Sequence, residues 1–181
     1  MKYWLLLVGI AAHACACLAT ASPIHPEAER LNSQGASAMA EGRMREARVC
    51  FELALEYGEC NAEVLHNLGV WHLLQGQYAA AARWEEQSLA CRPDLIQALC
   101  GLGVARWRQG DPEEARALFL QALHMDPGSL DARRNLVWLD LEQGRAGAAR
   151  AQLERLLALS PDDPILQQLP EGLQSGAGLG R

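Results

Sequence analysis

The stretch IQALCGLGVARWRQGDPEEARALFLQALHMDP, residues 96–127, contains an arrangement of small and large apolar residues that recurs on both sides at a constant interval of 34 residues. With Ile96 as position 1 of a unit, glycine stands at position 15 and alanine at position 20 of all four units. These residues are Gly42, Gly76, Gly110 and Gly144, and Ala47, Ala81, Ala115 and Ala149. A fixed period of this length indicates a repeat protein, in which each unit is one supersecondary motif.

Each unit is predicted to be a pair of helices joined by a tight turn. Apolar residues recur at helical spacing on both sides of the position 15 glycine. In the third unit the turn reads Gly110-Asp111-Pro112, where Asp111 is expected to cap the second helix and Pro112 suits its first turn. Gly103 lies inside the first helix, where glycine costs about 1 kcal/mol relative to alanine. It therefore predicts a close approach of the second helix.

The marker residues of the units resemble those of a tetratricopeptide repeat, a family with the same period. In the third unit they are Leu99, Leu102, Gly103, Ala115, Phe119, Ala122 and Pro127. The resemblance covers residues 28–163 as four units, 28–61, 62–95, 96–129 and 130–163. It implies an all-α fold, an α-solenoid of antiparallel helical hairpins with a concave groove lined mainly by first helices. The second unit departs from the pattern with Glu85 at position 24, where the neighbouring Trp84 is expected to supply the missing bulk.

Residues 1–21 have the layout of a secretory signal peptide. Lys2 precedes an apolar run at residues 3–12, and Ala19-Thr20-Ala21 forms an A-x-A cleavage site. The apolar run is shorter than the roughly 20 residues that a membrane-spanning helix needs. We therefore expect an exported protein, periplasmic or secreted, whose mature chain begins at Ser22.

Small residues before Cys17, and before Cys15, leave a second possibility for the same leader. Bacterial lipoprotein signals end at a cysteine that then carries the lipid, so the alternative is an outer-membrane lipoprotein that assists assembly of a pilus or secretion complex. A membrane is a partner only in that case. Elsewhere we expect an irregular segment at 22–27, a short capping helix at 164–170 begun by Pro164, and a disordered glycine-rich tail at 171–181.

The groove implied by the resemblance is lined by positions 2, 5, 9, 12 and 13, which from the second unit onward are largely aliphatic and aromatic. The candidate groove residues are His66, Val70, Leu73, Cys100, Val104, Trp107, Arg108, Arg134, Trp138 and Leu141. A large apolar surface of this kind predicts a protein or peptide segment as partner, with Arg108 or Arg134 pairing with one of its carboxylates. Two alternatives stay open: the tail or the capping helix covers the groove, or copies of the chain associate through it.

Several function classes are not expected from this sequence. The 16 basic residues against 22 acidic ones, without a basic cluster, argue against a nucleic-acid partner. Catalytic, phosphate-binding and cofactor motifs are absent, so we expect neither an enzyme nor a cofactor. His66 and Cys100 share position 5 but lack a third ligand, so no metal site is predicted. A thiol-redox role would require a low-pKa thiolate at Cys100. The lysine and asparagine of the family's chaperone-binding carboxylate clamp are also missing from positions 5 and 9.

Four cysteines follow the leader: Cys50, Cys60, Cys91 and Cys100. An exported protein meets an oxidising compartment, in which disulfides persist. Cys91 ends one second helix and Cys100 lies in the next first helix, so a disulfide between them is one possibility. The other is that the cysteines act as small buried apolar residues.

Overall fold

The computed structural model describes residues 25–58 and 60–169. Over these residues the chain folds into eight α-helices, without a strand. Their bounds are Pro26–Ala40 for α1, Met44–Leu55 for α2, Ala62–Leu74 for α3, Tyr78–Cys91 for α4, Ile96–Arg108 for α5, Pro112–Met125 for α6, Leu130–Glu142 for α7 and Ala146–Leu159 for α8. Consecutive helices pair as hairpins, and each hairpin packs against the next. The predicted all-α architecture of helical hairpins is therefore confirmed for this part of the chain.

The glycines at position 15 end the first helix of each hairpin. Their φ angles lie between 70° and 91°, in the left-handed region that glycine adopts without a steric penalty. The amide of the residue after each glycine donates to the carbonyl five residues earlier, at 2.8–3.0 Å. This is the Schellman arrangement, and it satisfies carbonyls that the helix end leaves free. The second helix of the third unit is capped as predicted, because Asp111 Oδ1 accepts from the Glu114 amide at 3.0 Å.

Glycine at position 8 lets an aromatic ring of the second helix lie against the backbone of the first. A Cβ atom added to Gly35 would stand 2.6 Å from the ring of Phe51, and one added to Gly103 would overlap the ring of Phe119. Both rings are fully buried. The close approach expected from Gly103 is confirmed, and its partner is the phenylalanine at position 24.

The second hairpin fills the same place with a carboxylate, and here the expectation for Trp84 is wrong. The Glu85 side chain is itself fully buried at position 24, between the backbones of Gly69 and Gly101. Trp84 is half-buried against the core of the first hairpin instead. Successive residues of a helix are rotated by about 100°. Trp84 therefore cannot fill the space that its neighbour faces.

The Cys91–Cys100 disulfide, one of the two possibilities for the cysteines, is not formed, because the structure joins Cys91 to Cys60 with a Cα–Cα distance of 5.4 Å. Cys60 precedes α3 and Cys91 ends α4. The two helices are antiparallel, so the end of α4 returns to the start of α3 within the same hairpin. Cys100 is a free, buried thiol, as is Cys50.

The two ends of the described chain are closed by capping side chains. α1 begins at Pro26, inside the segment for which no helix was expected, because His25 Nδ1 accepts from the Glu27 amide at 3.2 Å. After α8, a 3-10 helix spans Pro164–Gln167 in the region expected to form a capping helix. Asp163 Oδ1 accepts from the Ile165 amide at 3.0 Å. Ile165 and Leu169 are buried in the core of the last hairpin.

Several predictions concern residues outside the described ranges. These are the signal peptide at 1–21, the lipidation candidates Cys17 and Cys15, and the tail at 171–181. Within the described ranges, none of the helices is both long and apolar enough to cross a bilayer.

Candidate functional site

Apolar side chains on the first helices are held by the core on one side and remain partly open to solvent on the other. Val104 and Trp107 of α5 are half-buried against the core cluster around Phe119. Leu73 of α3 is half-buried against a cluster that contains Leu102. Val70 is half-buried one helical turn before Leu73. The core thus holds Leu73, Val104 and Trp107 in place while leaving part of each open for a further contact.

The segment after α8, residues 163–169, is called the capping segment, and it reaches only the last part of this surface. Trp138 and Leu141 of α7 are half-buried against a cluster that includes Ile165 and Leu169. The groove residues of α3 and α5 pack instead against clusters formed by the second to fourth hairpins. The capping segment therefore does not cover the whole groove. That the tail covers it stays a prediction, because the tail lies outside the residues that the structure describes.

Two of the predicted groove residues, Cys100 and Arg134, meet in one cavity of about 410 Å³. It lies between the first turns of α5, the α6–α7 turn and the first turns of α7. Ile96 and Leu130 line its apolar part, and Asp126 and Asp131 stand at its polar part. This cavity is a place where one side chain of a partner could be enclosed.

Arg134 is already neutralised by carboxylates of its own chain. Its Nε atom donates to both oxygens of Asp163 at 3.0 Å, and a terminal nitrogen stands 2.6 Å from Asp131 Oδ1. Burial alone would raise the pKa of Asp163, but hydrogen bonds from Arg134 and the Ile165 amide outweigh it and hold that pKa below its usual value. The expectation that Arg134 pairs with a partner's carboxylate is therefore corrected: it fastens the capping segment to α7.

Arg108 behaves differently from Arg134. It is exposed at the end of α5, and its guanidinium lies over the Trp107 ring, 5.2 Å from the ring centre. A cation in that position keeps its charge available while its side chain is restrained by the ring. Of the two predicted arginines, only Arg108 is thus placed to meet an anionic group.

His66 contacts a residue that sequence reasoning did not assign to the site. Its Nδ1 atom lies 2.9 Å and 3.2 Å from the two oxygens of Glu85, whose side chain is fully buried. Burial raises the pKa of Glu85 to about 6, and the hydrogen bond and charge of His66 lessen that rise. A charged residue at position 24, where two other units have phenylalanine, was the signal that could have revealed this pair.

Cys100 is not arranged as a nucleophile. Burial, together with the nearby carboxylates of Asp131 and Glu85, raises the pKa of its thiol to about 12. Such a thiol remains protonated at neutral pH, and the thiolate is the reactive form. The low pKa required by a redox role is absent at Cys100. Across 25–58 and 60–169, no group of three His, Cys, Asp or Glu side chains converges as a metal site would require.

Comparison with known proteins identifies the repeats. The sequence pattern of the tetratricopeptide repeat family matches residues 61–92, and a second pattern of the same description matches residues 106–169. Together the two matches cover more than half of the chain. The chain belongs to the tetratricopeptide repeat family. Repeats of this kind serve in general as scaffolds for protein interactions rather than as enzymes.

Relatives and structural neighbours of this tetratricopeptide repeat chain are diverse. The BBSome complex member BBS4 of Mus musculus is 27% identical over 107 residues, which make up 59% of this chain and 21% of the relative. The chain thus spans about a fifth of that relative's length. The protein TTC0263 of Thermus thermophilus superposes with a TM-score of 0.73 at 23% identity, over 83% of each chain. The first tetratricopeptide domain of Spaghetti (RPAP3), solved with an HSP90 peptide, gives 0.60 at 19% identity, over 65% of this chain and 94% of that one.

The charged groups of the tetratricopeptide groove lie at opposite ends of α5. The cavity with Asp126 and Asp131 adjoins the first turns of that helix, and Arg108 is its last residue. Twelve residues separate Ile96 from Arg108. At 1.5 Å per residue, that separation is about 18 Å. An extended segment laid along α5 would therefore meet carboxylates at one end and a guanidinium at the other.

Proposed function

We propose that this protein is an exported, non-enzymatic scaffold that binds a protein or peptide segment in the apolar groove of its tetratricopeptide repeats. The observation that carries the proposal is the row of half-buried side chains Val70, Leu73, Val104 and Trp107 on consecutive first helices. Leu73, Val104 and Trp107 pack on core clusters, and all four side chains are partly open to solvent. Side chains fixed before binding lose little entropy when a partner covers them, which favours affinity.

The structural neighbours support the class of ligand. The Spaghetti (RPAP3) domain was solved with a bound peptide, and its fold is that of this chain. The apolar character of the groove here favours a segment with large apolar side chains, since contacts of that kind provide most of the binding energy at such surfaces.

Substitution of the groove tryptophans should reduce binding strongly. Peptides selected from a random display library on the immobilised protein are the probes. We expect Trp107→Ala and Trp138→Ala each to weaken their affinity by about tenfold or more, because a buried tryptophan anchor is a typical hot spot. Fluorescence polarisation with labelled peptides measures the dissociation constants.

A third tryptophan provides the matched control. Trp71 is also half-buried against a core cluster, but its Nε1 atom donates to the Met44 carbonyl at 2.7 Å, on the side of the first hairpin. Trp71→Ala removes a comparable side chain and should leave peptide affinity unchanged. If all three variants lose binding equally, the loss reflects destabilisation, and the groove is not the binding surface.

The compartment is proposed from residues 1–21 alone. Export with cleavage after Ala21 gives a soluble chain that begins at Ser22. The second candidate, an outer-membrane lipoprotein anchored through Cys17 that assists assembly of a pilus or secretion complex, gives a membrane-bound chain that begins at the lipidated cysteine. The intact mass of the soluble and membrane fractions, after expression with the native leader, distinguishes the two. A full-length mass in both fractions would contradict export by either route.

A further inference from the structure

The cavity between α5 and α7 has an excess of negative charge. Asp126 and Asp131 line it, and Arg134, the guanidinium that lines it, pairs both with Asp131 and with a third carboxylate, Asp163, which is outside the lining. The neighbouring Arg133 does not line the cavity: its guanidinium donates to the Pro127 carbonyl and to Gln152. One cation cannot neutralise three carboxylates. A second cation would therefore be favoured at this place.

Within residues 25–58 and 60–169, the cavity carboxylates Asp126 and Asp131 each keep an oxygen that pairs with no cation. Among the residues that the structure describes, the donor to Asp126 Oδ1 is the backbone amide of Gly128, at 2.9 Å. The Asp131 side chain is 73% exposed and pairs with Arg134 through one oxygen. The raised pKa of the Cys100 thiol on the cavity wall has the nearby Asp131 carboxylate among its causes, which agrees with a negative potential there.

The apolar wall fits the stem of a long basic side chain. Ile96 and Leu130 are half-buried and line the same cavity as the two carboxylates. Lysine and arginine have an aliphatic stem that packs on apolar surface while the charged head stays at the rim. A segment with a carboxylate at this place would be repelled by Asp126 and Asp131.

We propose that the segment bound in the groove inserts a lysine or arginine side chain into this cavity, with its stem along Ile96 and Leu130 and its cationic head at Asp126 and Asp131. The inference rests on the proposed function, because it specifies the chemistry of the segment that the same groove binds. It reverses the sequence-based expectation for this end of the groove, where Arg134 was one of two arginines expected to pair with a partner's carboxylate.

The test uses the display-selected peptides in matched sets. Within a peptide, the basic residue is replaced by norleucine, which keeps the stem, and by glutamate. We expect norleucine to weaken binding about threefold to tenfold and glutamate to weaken it further, as charge pairs at a partly exposed site do. The difference between lysine and norleucine should shrink at high salt, because exposed charges are screened.

Variants of the protein locate the effect. Asp126→Asn with Asp131→Asn should make the lysine and norleucine peptides equal, while Glu142→Gln, which removes an exposed charge at the other end of α7, should leave their difference intact. An asparagine side chain at position 126 can still accept from the Gly128 amide, so the turn is preserved. If the peptides depend on Trp107 and Trp138 but tolerate glutamate, or contain no basic residue, this inference is overturned and the proposed function stands. If no peptide depends on those tryptophans, both fail together.

Discussion

Loss of the Cys60–Cys91 disulfide is expected to lower the free energy of unfolding by about 3 to 4 kcal/mol. The two cysteines are 31 residues apart and enclose the whole α3–α4 hairpin. A cross-link of that span removes many conformations from the unfolded chain. Substitution of either cysteine restores those conformations and so stabilises the unfolded state. Cys60→Ala, Cys91→Ala and the double variant should therefore be equally destabilised, because each loses the same covalent link.

Urea unfolding of the oxidised and reduced protein provides the measurement. Reductant should lower the unfolding midpoint of the wild type to that of the double variant, and leave the double variant unchanged. Peptide mapping under non-reducing conditions should find Cys60 and Cys91 in one linked pair, with Cys50 and Cys100 free. A linked pair of Cys91 with Cys100, or a wild-type midpoint that does not respond to reductant, would contradict the structure at this point.

The pairing of hairpins was predictable because it depends on local chemistry repeated at a fixed interval. Gly110, and its equivalents in the other units, ends a helix in a backbone conformation that glycine adopts freely. Asp111 and Pro112 start the next helix from adjacent positions in the chain. Such features need no knowledge of the tertiary structure, so the period and the turn chemistry together determine the fold class.

The polar contacts of the groove were not predictable in the same way. Arg134 meets Asp163 from 29 residues away, and His66 meets Glu85 from 19 residues away. Each pair joins elements whose relative rotation is set by packing rather than by spacing along the chain. The groove positions therefore predicted where Arg134 lies along the chain, but they did not show that its partner is Asp163 of the same chain. The half-buried state of Trp107 depends in the same way on its packing near Phe119.

Glu85 is expected to make the stability of the fold depend on pH between about 4.5 and 6. The ordinary pKa of a glutamate side chain is 4.5, and burial raises the folded-state pKa of Glu85 to about 6. The folded state therefore binds a proton at Glu85 more tightly than the unfolded state. The resulting stabilisation of the fold is fully present below the unfolded-state pKa. It is lost as the pH rises through the folded pKa. This difference between the two pKa values corresponds to about 2 kcal/mol in the free energy of unfolding.

Comparison with Glu85→Gln isolates this contribution. Glutamine has the same shape and is neutral at every pH, so it avoids burying a charge above pH 6. The stability of the wild type minus that of the variant should increase by about 2 kcal/mol as the pH falls from about 7 to below about 4.5. Urea unfolding at a series of pH values measures the difference. Glu86→Gln, which removes an exposed carboxylate one residue away, is the control for the general effect of removing a carboxylate from α4.

The titration of Asp163 does not interfere in this range. Its pKa is held below the ordinary aspartate value of 3.8, so the stability gained from its pairing with Arg134 is present above 3.8 and lost only at lower pH.

A constant difference in stability between the wild type and Glu85→Gln from about pH 7 to 4.5 would show that the Glu85 carboxyl is not buried as the structure has it. The expected trend would instead show that the charged form of Glu85 destabilises the α3–α4 hairpin, where this residue occupies the place of an aromatic ring. The Cys60–Cys91 link closes that same hairpin. We therefore expect the reduced protein to be least stable above pH 6, where the buried charge of Glu85 and the missing cross-link act on the same pair of helices.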